Sequence, residues 1–584
     1  MGSNGDALAS GELLLDLEDD LSDDERAAIS RAVDGAVAPF DWPDGTLGQE
    51  LSAGAQLYRL RVPESELADL RRSLSGNGAV ESLEREQRLG LPVDPVAVDF
   101  TPNDAGPGDG RAPTEVAPTR GTFRPNDPYY KHQWHLDQVQ MPNAWMRTRG
   151  RGVVVAVIDT GVLYRDHERG RRAPDLAGTR FVPGWDFVDG DDTPDDEHGH
   201  GTHVAGTIAQ STHNAIGVAG VAPDAAIMPL RVLNAQGGGR SGDIAAAIRW
   251  AADHGADVIN MSLGGGLPSR AMANAVTYAH DKGVVVVAAA GNTGRGRVEY
   301  PAAYDHVIAV GAVRGDGQRA YYSSYGDALD IMAPGGDLRV DQNGDGMPDG
   351  VVQNTMLRGD PMHHDYLGFQ GTSMAAPHVA GVAALLRAEG LRDPDAVERV
   401  LRDSAREAGP ASDFGAGILQ ADAALRRQAG SRSLGGASGA SLAVVTLFAG
   451  GARRRRKLAL GPLAAVLGSF TLGGGLSAVL ALWPTTAGLS AFSGPHAVAL
   501  LGDLPALLGL TAALPLLAYG LFANVRRMSS WISVLSFAVA GALVLEALSP
   551  SVRLALLPEL LTGPWLLANA ALCAWLGWAA AQRD

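Results

Sequence analysis

The chain has 584 residues, a net charge of −17, 46% hydrophobic residues and a single cysteine, Cys573. This length allows several domains with large cores, and its recurring apolar segments without a three-residue glycine repeat exclude disordered and collagen-like classes. One cysteine excludes an intramolecular disulfide and a thiolate metal cluster, and so acidic a chain is a poor partner for nucleic acid, which requires a basic face.

The first part of the chain, residues 1–91, has the pattern of a small α+β domain. Some stretches alternate apolar and polar residues as strands do, and others have helical spacing. In chain order these are strand 11–18, helix 22–34, strand 56–62, helix 64–74 and strand 80–89. Residues 1–100 contain 21 Asp and Glu but 8 Lys and Arg, so most of the net charge lies there. Residues 92–125 turn to Pro, Gly, Asp and Thr, which is typical of a linker.

The middle of the chain, residues 126–429, alternates apolar strands with helices. The predicted strands are 152–158, 226–232, 257–262, 284–289 and 307–313, and the predicted helices are 200–209, 243–254, 270–282 and 372–389. Strands that are continuous apolar runs separated by helices imply a parallel sheet covered on both faces. We therefore predict an α/β domain with a doubly wound parallel sheet.

The last part, residues 434–584, is predicted to be a transmembrane region. It contains about five apolar stretches of bilayer-spanning length, at 434–452, 458–483, 497–523, 531–548 and 554–581. The basic clusters at 453–457 and 526–527 are predicted to lie on the cytoplasmic side of the membrane, because positively charged loops tend to stay there. Five spans would place the middle domain outside the cytoplasm. If the short first stretch does not span the membrane, the remaining four spans would leave the middle domain inside the cytoplasm, and this alternative stays open.

Three motifs of the middle domain point to one chemistry. Asp159 ends a predicted strand, His200 begins an apolar helix, and Ser373 lies at the start of another helix. In a Ser–His–Asp constellation the imidazole takes the hydroxyl proton while the carboxylate holds the imidazole in the correct tautomer. A nucleophile at a helix N-terminus also gains from the local positive field. Taken singly, each residue could equally be a cap or turn former.

The motifs DTG, HGTHVAG and GTSMAAPHVAG resemble those of the subtilase family of serine proteases, in the order Asp, His, Ser. The resemblance covers roughly residues 126–425. It implies a subtilisin-like fold and a serine endopeptidase that acts on polypeptides. Asp159 would orient His200, His200 would be the general base, and Ser373 would attack the scissile carbonyl. The family also implies that Asn292, which follows AAAG, donates to the tetrahedral oxygen.

The same resemblance implies a substrate cleft. The segment that matches the family's cleft strand is Ser262, Leu263 and Gly264. Its backbone would pair with an extended peptide by β-augmentation. Glu299 lies in the loop that forms the floor of the pocket for the residue before the cut. We hypothesise that it favours Arg or Lys there; the alternative is a surface glutamate paired with Arg295 or Arg297.

Two acidic loops suggest structural calcium, and no organic cofactor is predicted. The first resembles the start of an EF-hand loop, with oxygen ligands at alternate positions around a glycine-enabled turn. Its candidate ligands are Asp341, Asn343, Asp345, Met347 and Asp349. The second resembles a calcium loop that some subtilases carry just before the catalytic histidine. Its candidate ligands are Asp186, Asp189, Asp191, Thr193 and Asp195. A solvated acidic hairpin is the alternative for the first loop.

By position and element order, residues 1–91 look like the family's propeptide, a ferredoxin-like chaperone and inhibitor. Maturation would then cut between Leu91 and Asn126. The first fifteen residues show neither the basic nor the apolar region of a signal peptide. The expectation is a self-inhibited precursor of a multi-pass membrane serine endopeptidase with an extracytoplasmic catalytic domain. An intracellular protease, or a membrane protein with an inactive protease-like module, are the alternatives.

Overall fold

The computed structural model describes parts of residues 8–99, residues 122–429 except 169 and 266, and a few positions beyond 535. The chain divides into two compact units, residues 1–425 and 426–584. Nearly all of the predicted membrane region, 434–584, lies outside the described residues. Among the residues that are described, none belongs to a helix long and apolar enough to cross a membrane.

The N-terminal part forms an antiparallel sheet in the order β4-β1-β3-β2. Its elements are β1 (Leu8–Leu17), β2 (Gln49–Glu50), β3 (Leu57–Arg61), helix α1 (Leu67–Leu74) and β4 (Val80–Gly90), followed by the short strand β5 (Val98–Asp99). Helix α1 buries Leu70 and Leu74 against Leu13 and Leu15 of β1. The three longer strands lie where the alternating pattern predicts them.

The remaining described elements follow in chain order. They are α2 (Trp134–Gln138), α3 (Met141–Ala144), β6 (Val154–Asp159), β7 (Arg180–Phe181), β8 (Trp185–Asp186), α4 (His200–Ala209), β9 (Ala226–Arg231), β10 (Gly238–Arg240), α5 (Ser241–Asp253), β11 (Val258–Met261), α6 (Arg270–Asp281), β12 (Val285–Ala289), β13 (Val307–Val313), β14 (Ile331–Pro334), β15 (Val351–Leu357), β16 (Asp360–Phe369), α7 (Thr372–Ala388), α8 (Pro394–Asp403) and α9 (Ala411–Phe414).

The central sheet has eight strands that pair in parallel, in the order β14-β13-β12-β11-β6-β9-β7, with β8 also on β9. Helices α4 and α7 pack together in one core, and α5 and α6 belong to a second core. The predicted doubly wound parallel sheet is therefore confirmed. The strand order reverses next to β6, and functional side chains of such sheets gather at the carboxyl ends of strands there.

Glycines that the sequence places after three of these helices explain where the helices end. Gly255, Gly283 and Gly390 follow α5, α6 and α7 and have φ between +81° and +83°. Only glycine adopts this left-handed conformation without a steric cost from Cβ. These ends are therefore encoded locally.

The N-terminal sheet continues onto the middle domain. Strand β4 pairs antiparallel with β10, and Gly90 exchanges backbone hydrogen bonds of 3.1 and 3.3 Å with Gly264. Leu14, Leu57 and Leu89 are buried in the same core as α5 and α6. Further along, β5 pairs with β16, so residues on both sides of segment 92–97 are paired to the middle domain.

Candidate active site

Asp159 and His200 meet at the switch point of the central sheet. Asp159 is the last residue of β6, and His200 is the first of α4. The Asp159 carboxylate lies 2.7 Å from His200 Nδ1, and the two residues are 0% and 2% exposed. The same Asp159 oxygen accepts from the Thr160 backbone at 2.7 Å. A carboxylate on Nδ1 leaves Nε2 as the nitrogen that can take a proton.

Thr160 and Asp196 brace this pair, although no role was predicted for either residue. The Thr160 hydroxyl donates to Asp196 Oδ1 at 2.8 Å and accepts from the Gly201 backbone at 2.9 Å. Asp196 Oδ1 also accepts from the backbone of His198 and Gly199, both at 2.8 Å. The loop before α4 is thereby tied to the end of β6, which holds His200 in place.

Two further buried histidines lie near His200. Burial, with the charge of His200, lowers the pKa of His203 to about 3. His203 Nε2 lies 3.0 Å from the Val351 carbonyl, and its ring stacks on Phe369. Burial also lowers the pKa of His198. Both residues are therefore structural neighbours of the base.

Ser373 is the second residue of α7 and is 3% exposed. Its hydroxyl donates to the Ser262 carbonyl at 3.1 Å, and Ser262 Oγ donates back to the Ser373 carbonyl at 2.8 Å. Helices α4 and α7 pack against each other, so Ser373 and His200 begin neighbouring helices. In this resting arrangement the Ser373 proton is engaged by Ser262, and unliganded sites often tighten only when substrate binds.

Asn292 is oriented by its side-chain oxygen. Asn292 Oδ1 accepts from the Thr372 backbone at 2.9 Å and from Thr372 Oγ1 at 2.8 Å. A Cβ placed on Gly371 would lie 3.2 Å from Asn292 Nδ2. The amide N–H is thus presented beside the start of α7, where a developing negative oxygen would also meet the first backbone N–H groups of the helix.

The predicted cleft strand is already paired. Gly264, at the end of the Ser262, Leu263, Gly264 segment, forms its two backbone bonds with Gly90. On the other side the Leu91 backbone donates to the Gly237 carbonyl at 3.0 Å. The end of β4 thus lies between two backbone segments of the middle domain, as an extended peptide bound by β-augmentation would.

Glu299 lies beside this strand. Its Oε2 would be 3.2 Å from a Cβ on Gly264 and 2.8 Å from one on Gly291. Among the described residues it forms no ion pair, and Arg295 and Arg297 are exposed. Burial raises the pKa of Glu299, opposed by a hydrogen bond from Thr293. A half-buried carboxylate therefore lies against two glycines, and the charge of Arg297 acts on it from nearby.

The first acidic loop is compact. Asp341 accepts from the backbone of Gly344 and Gly346 at 2.8 and 3.0 Å, and Asp345 accepts from Met347 at 2.9 Å. Asp349 is 1% exposed, and its Oδ1 has no hydrogen-bond partner among the described residues. A buried carboxylate oxygen without a donor, beside other carboxylates, fits a cation such as calcium.

The second acidic loop is arranged differently. Asp186 and Asp189 both bind Arg231, Asp191 accepts from the Thr193 backbone, and Asp195 lies 2.9 Å from His167. Asp186 and Asp189 thus share one internal cation, Arg231, while Asp191 and Asp195 have other partners. The residues of this loop therefore do not fit the calcium ion that was predicted there from the sequence.

The sequence analysis also missed a group of ligand-type side chains. Within the described ranges, the one set of three such side chains with ligand atoms within 4.8 Å of one another is His280, His306 and Asp395. His280 Nε2 already lies 2.9 Å from Asp395. The group is separate from the pair formed by Asp159 and His200.

Comparisons with known proteins point to one protein family. A family model described as the subtilase family matches residues 150–417. Thermitase of Thermoactinomyces vulgaris is 42% identical over 269 residues, which cover 46% of this chain and 87% of thermitase. Subtilisin Savinase of Lederbergia lenta is 39% identical over 295 residues, which cover 50% of this chain and 98% of that protein.

Among solved structures, fervidolysin of Fervidobacterium pennivorans, described as a keratinolytic enzyme related to subtilisin, matches with a TM-score of 0.55. The match is 26% identical and covers 73% of this chain and 62% of fervidolysin. It therefore extends over a larger share of this chain than the sequence matches do. The family model's range, residues 150–417, includes Asp159, His200, Asn292 and Ser373.

Proposed function

The chain belongs to the subtilase family and is a subtilisin-like serine protease, and we propose that Asp159, His200 and Ser373 form its catalytic triad. The observation that carries this proposal is the buried 2.7 Å contact between Asp159 and His200 Nδ1. It leaves Nε2 to act on the nucleophile that begins the neighbouring helix. No organic cofactor is needed for this chemistry.

The reaction follows from these positions. Ser373 Oγ turns from the Ser262 carbonyl toward His200, gives its proton to Nε2 and attacks the scissile carbonyl. Asn292 Nδ2 and the Ser373 backbone N–H donate to the resulting oxyanion. His200 then protonates the leaving amine, and a water molecule activated in the same way releases the acyl group. Asp159 stays ionised and stabilises the imidazolium throughout.

The proposed substrates are polypeptides with a basic residue before the cut. An extended peptide on Gly264 would direct that side chain toward Glu299, a half-buried carboxylate that forms no ion pair among the described residues. An Arg or Lys of the substrate would be a closer partner than Arg297, whose charge acts on Glu299 without an ion pair, because the bound pair shares the cost of desolvation. Equal kcat/KM for Arg and Phe peptides would remove this idea, and Glu299→Gln is the variant that should equalise them.

The N-terminal part is proposed to be an inhibitor of the same active site. Glu84 accepts from Ser269 Oγ and from the backbone of Arg270 and Ala271 at the start of α6. Arg59 reaches Asp243 of α5 at 2.8 Å. Together with the pairing of Gly90 to Gly264, these contacts support a zymogen in which β4 occupies the cleft and maturation cuts between Leu91 and Asn126.

Calcium is proposed as a structural ion at the first acidic loop alone. Asp341, Asn343, Asp345, Met347 and Asp349 would hold it through side-chain and backbone oxygens. When bound, the ion would neutralise the carboxylates there and clamp the loop. It would take no part in the reaction.

Membrane anchoring through residues 434–584 is proposed from the amino-acid sequence, with the catalytic domain outside the cytoplasm. Its support is the length and apolar character of the five stretches and the position of the basic clusters. Digestion of intact and lysed spheroplasts with an added protease tests it. If the catalytic domain survives digestion in intact spheroplasts and is degraded only after lysis, that domain lies inside the cytoplasm.

A fluorophosphonate probe tests the triad. The full-length chain should be labelled at one serine, and Ser373→Ala and His200→Ala should each abolish labelling and peptidase activity. Ser412→Ala, which changes an exposed serine, is the matched control and should label like the wild type. Labelling that survives Ser373→Ala would refute the assignment.

A further inference from the structure

An arginine occupies the acidic loop that precedes the catalytic histidine. Arg231 Nη1 lies 2.7 Å from Asp186 Oδ2 and 2.8 Å from Asp189 Oδ2, and its Nη2 lies 2.7 Å from Glu197 Oε2. The Arg231 and Asp186 side chains are 5% and 1% exposed, while Asp189 and Glu197 reach solvent. One guanidinium therefore holds three carboxylates from the two ends of the loop.

The fold places this cation beside the active site. Arg231 is the last residue of β9, and the parallel register pairs it with Asp159 at the end of β6. The loop that it binds runs from β8 to α4, and Asp196 at its end braces Thr160 and the residues before His200. A clamp on this loop thus acts on the segment that carries the general base.

The guanidinium already contacts the carboxylate oxygens that a second cation would need at this point. Burial raises the pKa of Asp186, and hydrogen bonds from Asp189 and Arg231 oppose that rise. Arg231 already supplies a positive charge and two donor groups in a fixed fork. A calcium ion on the same carboxylates would lie next to the guanidinium, where like charges repel strongly in a partly buried site. Of the other expected ligands, Asp191 accepts from the Thr193 backbone, Thr193 Oγ1 donates to Asp192, and Asp195 lies beside His167.

We propose that Arg231 takes the place of the calcium ion at this loop, so that the loop is clamped without metal. The guanidinium provides the positive charge and the bridging contacts that the ion would otherwise supply. It follows that removing the guanidinium while keeping the carboxylates uncovers a calcium site. Arg231 is a positioning residue, because it acts on the loop and does not contact substrate.

The test measures the melting temperature of the full-length chain in calcium and in chelator. All variants carry Ser373→Ala to prevent self-digestion, and Asp341→Asn with Asp345→Asn to remove the other candidate loop. Arg231→Met is the test variant and Arg231→Lys is the conservative variant. Arg180→Met is the matched control, because Arg180 is an exposed arginine on β7, which pairs with the same strand β9.

With Arg231 present, we expect the same Tm in calcium and chelator and no calcium heat by titration calorimetry. Arg231→Met should lose roughly 5–10 °C in chelator, from the loss of a buried ion-pair partner in a domain of this size. Calcium should restore most of that loss in Arg231→Met, while Arg231→Lys should lose less and respond less. Arg180→Met should behave as the parent.

Two results would overturn the proposal. One is a calcium-dependent rise in Tm with Arg231 present that Asp189→Asn abolishes. The other is an Arg231→Met chain that loses Tm but gains nothing from calcium, because the arginine would then not stand in for an ion. If Arg231→Met does not fold, Asp189→Asn alone decides: we expect an equal Tm loss in calcium and in chelator, and a larger loss in calcium contradicts the idea.

Discussion

Asp243→Asn should release the N-terminal part from the catalytic domain more easily. Arg59 donates to Glu86 at 2.6 and 2.7 Å within the N-terminal part, and to Asp243 of α5 at 2.8 Å. The three side chains are 6%, 0% and 9% exposed, so water cannot replace the lost partner well. The substitution keeps the shape of Asp243 and removes the charge that crosses the boundary.

The size of the effect follows from these contacts. A hydrogen bond to a charged group contributes about 1.5–3 kcal/mol, and losing a whole buried ion-pair partner costs about 3–5 kcal/mol. Arg59 keeps Glu86, and an asparagine oxygen can still accept from it, so the lower range applies. At about 1.4 kcal/mol per tenfold change, the dissociation constant should rise roughly 10- to 150-fold.

The assay uses the chain after the proposed self-processing, when the cleaved N-terminal part would stay bound without a covalent link. Serial dilution releases it, and the active fraction measured against protein concentration gives the dissociation constant. Asp281→Asn is the matched control, because Asp281 is an exposed aspartate on the adjacent helix α6. Arg59→Met and the double variant complete a cycle that isolates the pairwise contribution.

A dissociation constant that Asp243→Asn changes by less than about threefold would refute the reasoning, since it lies outside the range expected for a charged hydrogen bond. An equal weakening by Asp281→Asn would refute it in another way, because the effect would then reflect net charge. Single variants whose effects add without coupling would show that Arg59 and Asp243 do not interact across the boundary.

Three further outcomes are expected. Asn292→Asp keeps the acceptor for Thr372 but loses the N–H donor, so kcat should fall about 10²–10³-fold with KM little changed. This magnitude is the one established with subtilisin, and an unaltered kcat would speak against the donor role. Burial raises the pKa of Glu299, so its negative charge is lost by protonation as the pH falls through that raised pKa. The ratio of kcat/KM for Arg peptides to kcat/KM for Phe peptides should therefore decline toward acid pH in the wild type and stay flat in Glu299→Gln. Parallel pH profiles of the two proteins would contradict this. A chelator should lower the Tm of the wild type and have less effect on Asp349→Asn. Calcium at about 100 times its Kd would stabilise the folded chain by about 2.7 kcal/mol, and equal Tm responses of the two proteins would argue against the site.

Local sequence predicted much of the secondary structure. The strand beginning near residue 152 and the helices beginning near 200, 270 and 372 lie where apolar periodicity and motif glycines indicate them. The β15–β16 hairpin was not predicted from the sequence. Its strand β16 carries a run of exposed and half-buried polar residues, so its pattern does not stand out. Pairing with the buried strand β15 and with the distant strand β5 decides its structure.

The motif residues Asp159, His200, Asn292 and Ser373 could be chosen from the sequence because each sits in a local context that serves its chemistry. By itself the sequence thus determined the reaction type, the parallel sheet, the acidic N-terminal part and the apolar stretches of the C-terminal part. Only the tertiary structure decided that Arg231 stands among Asp186, Asp189 and Glu197 and that Gly90 lies on Gly264. Such partners are far apart in the chain, and no local pattern encodes a contact that exists only after the sheet has brought its strand ends together.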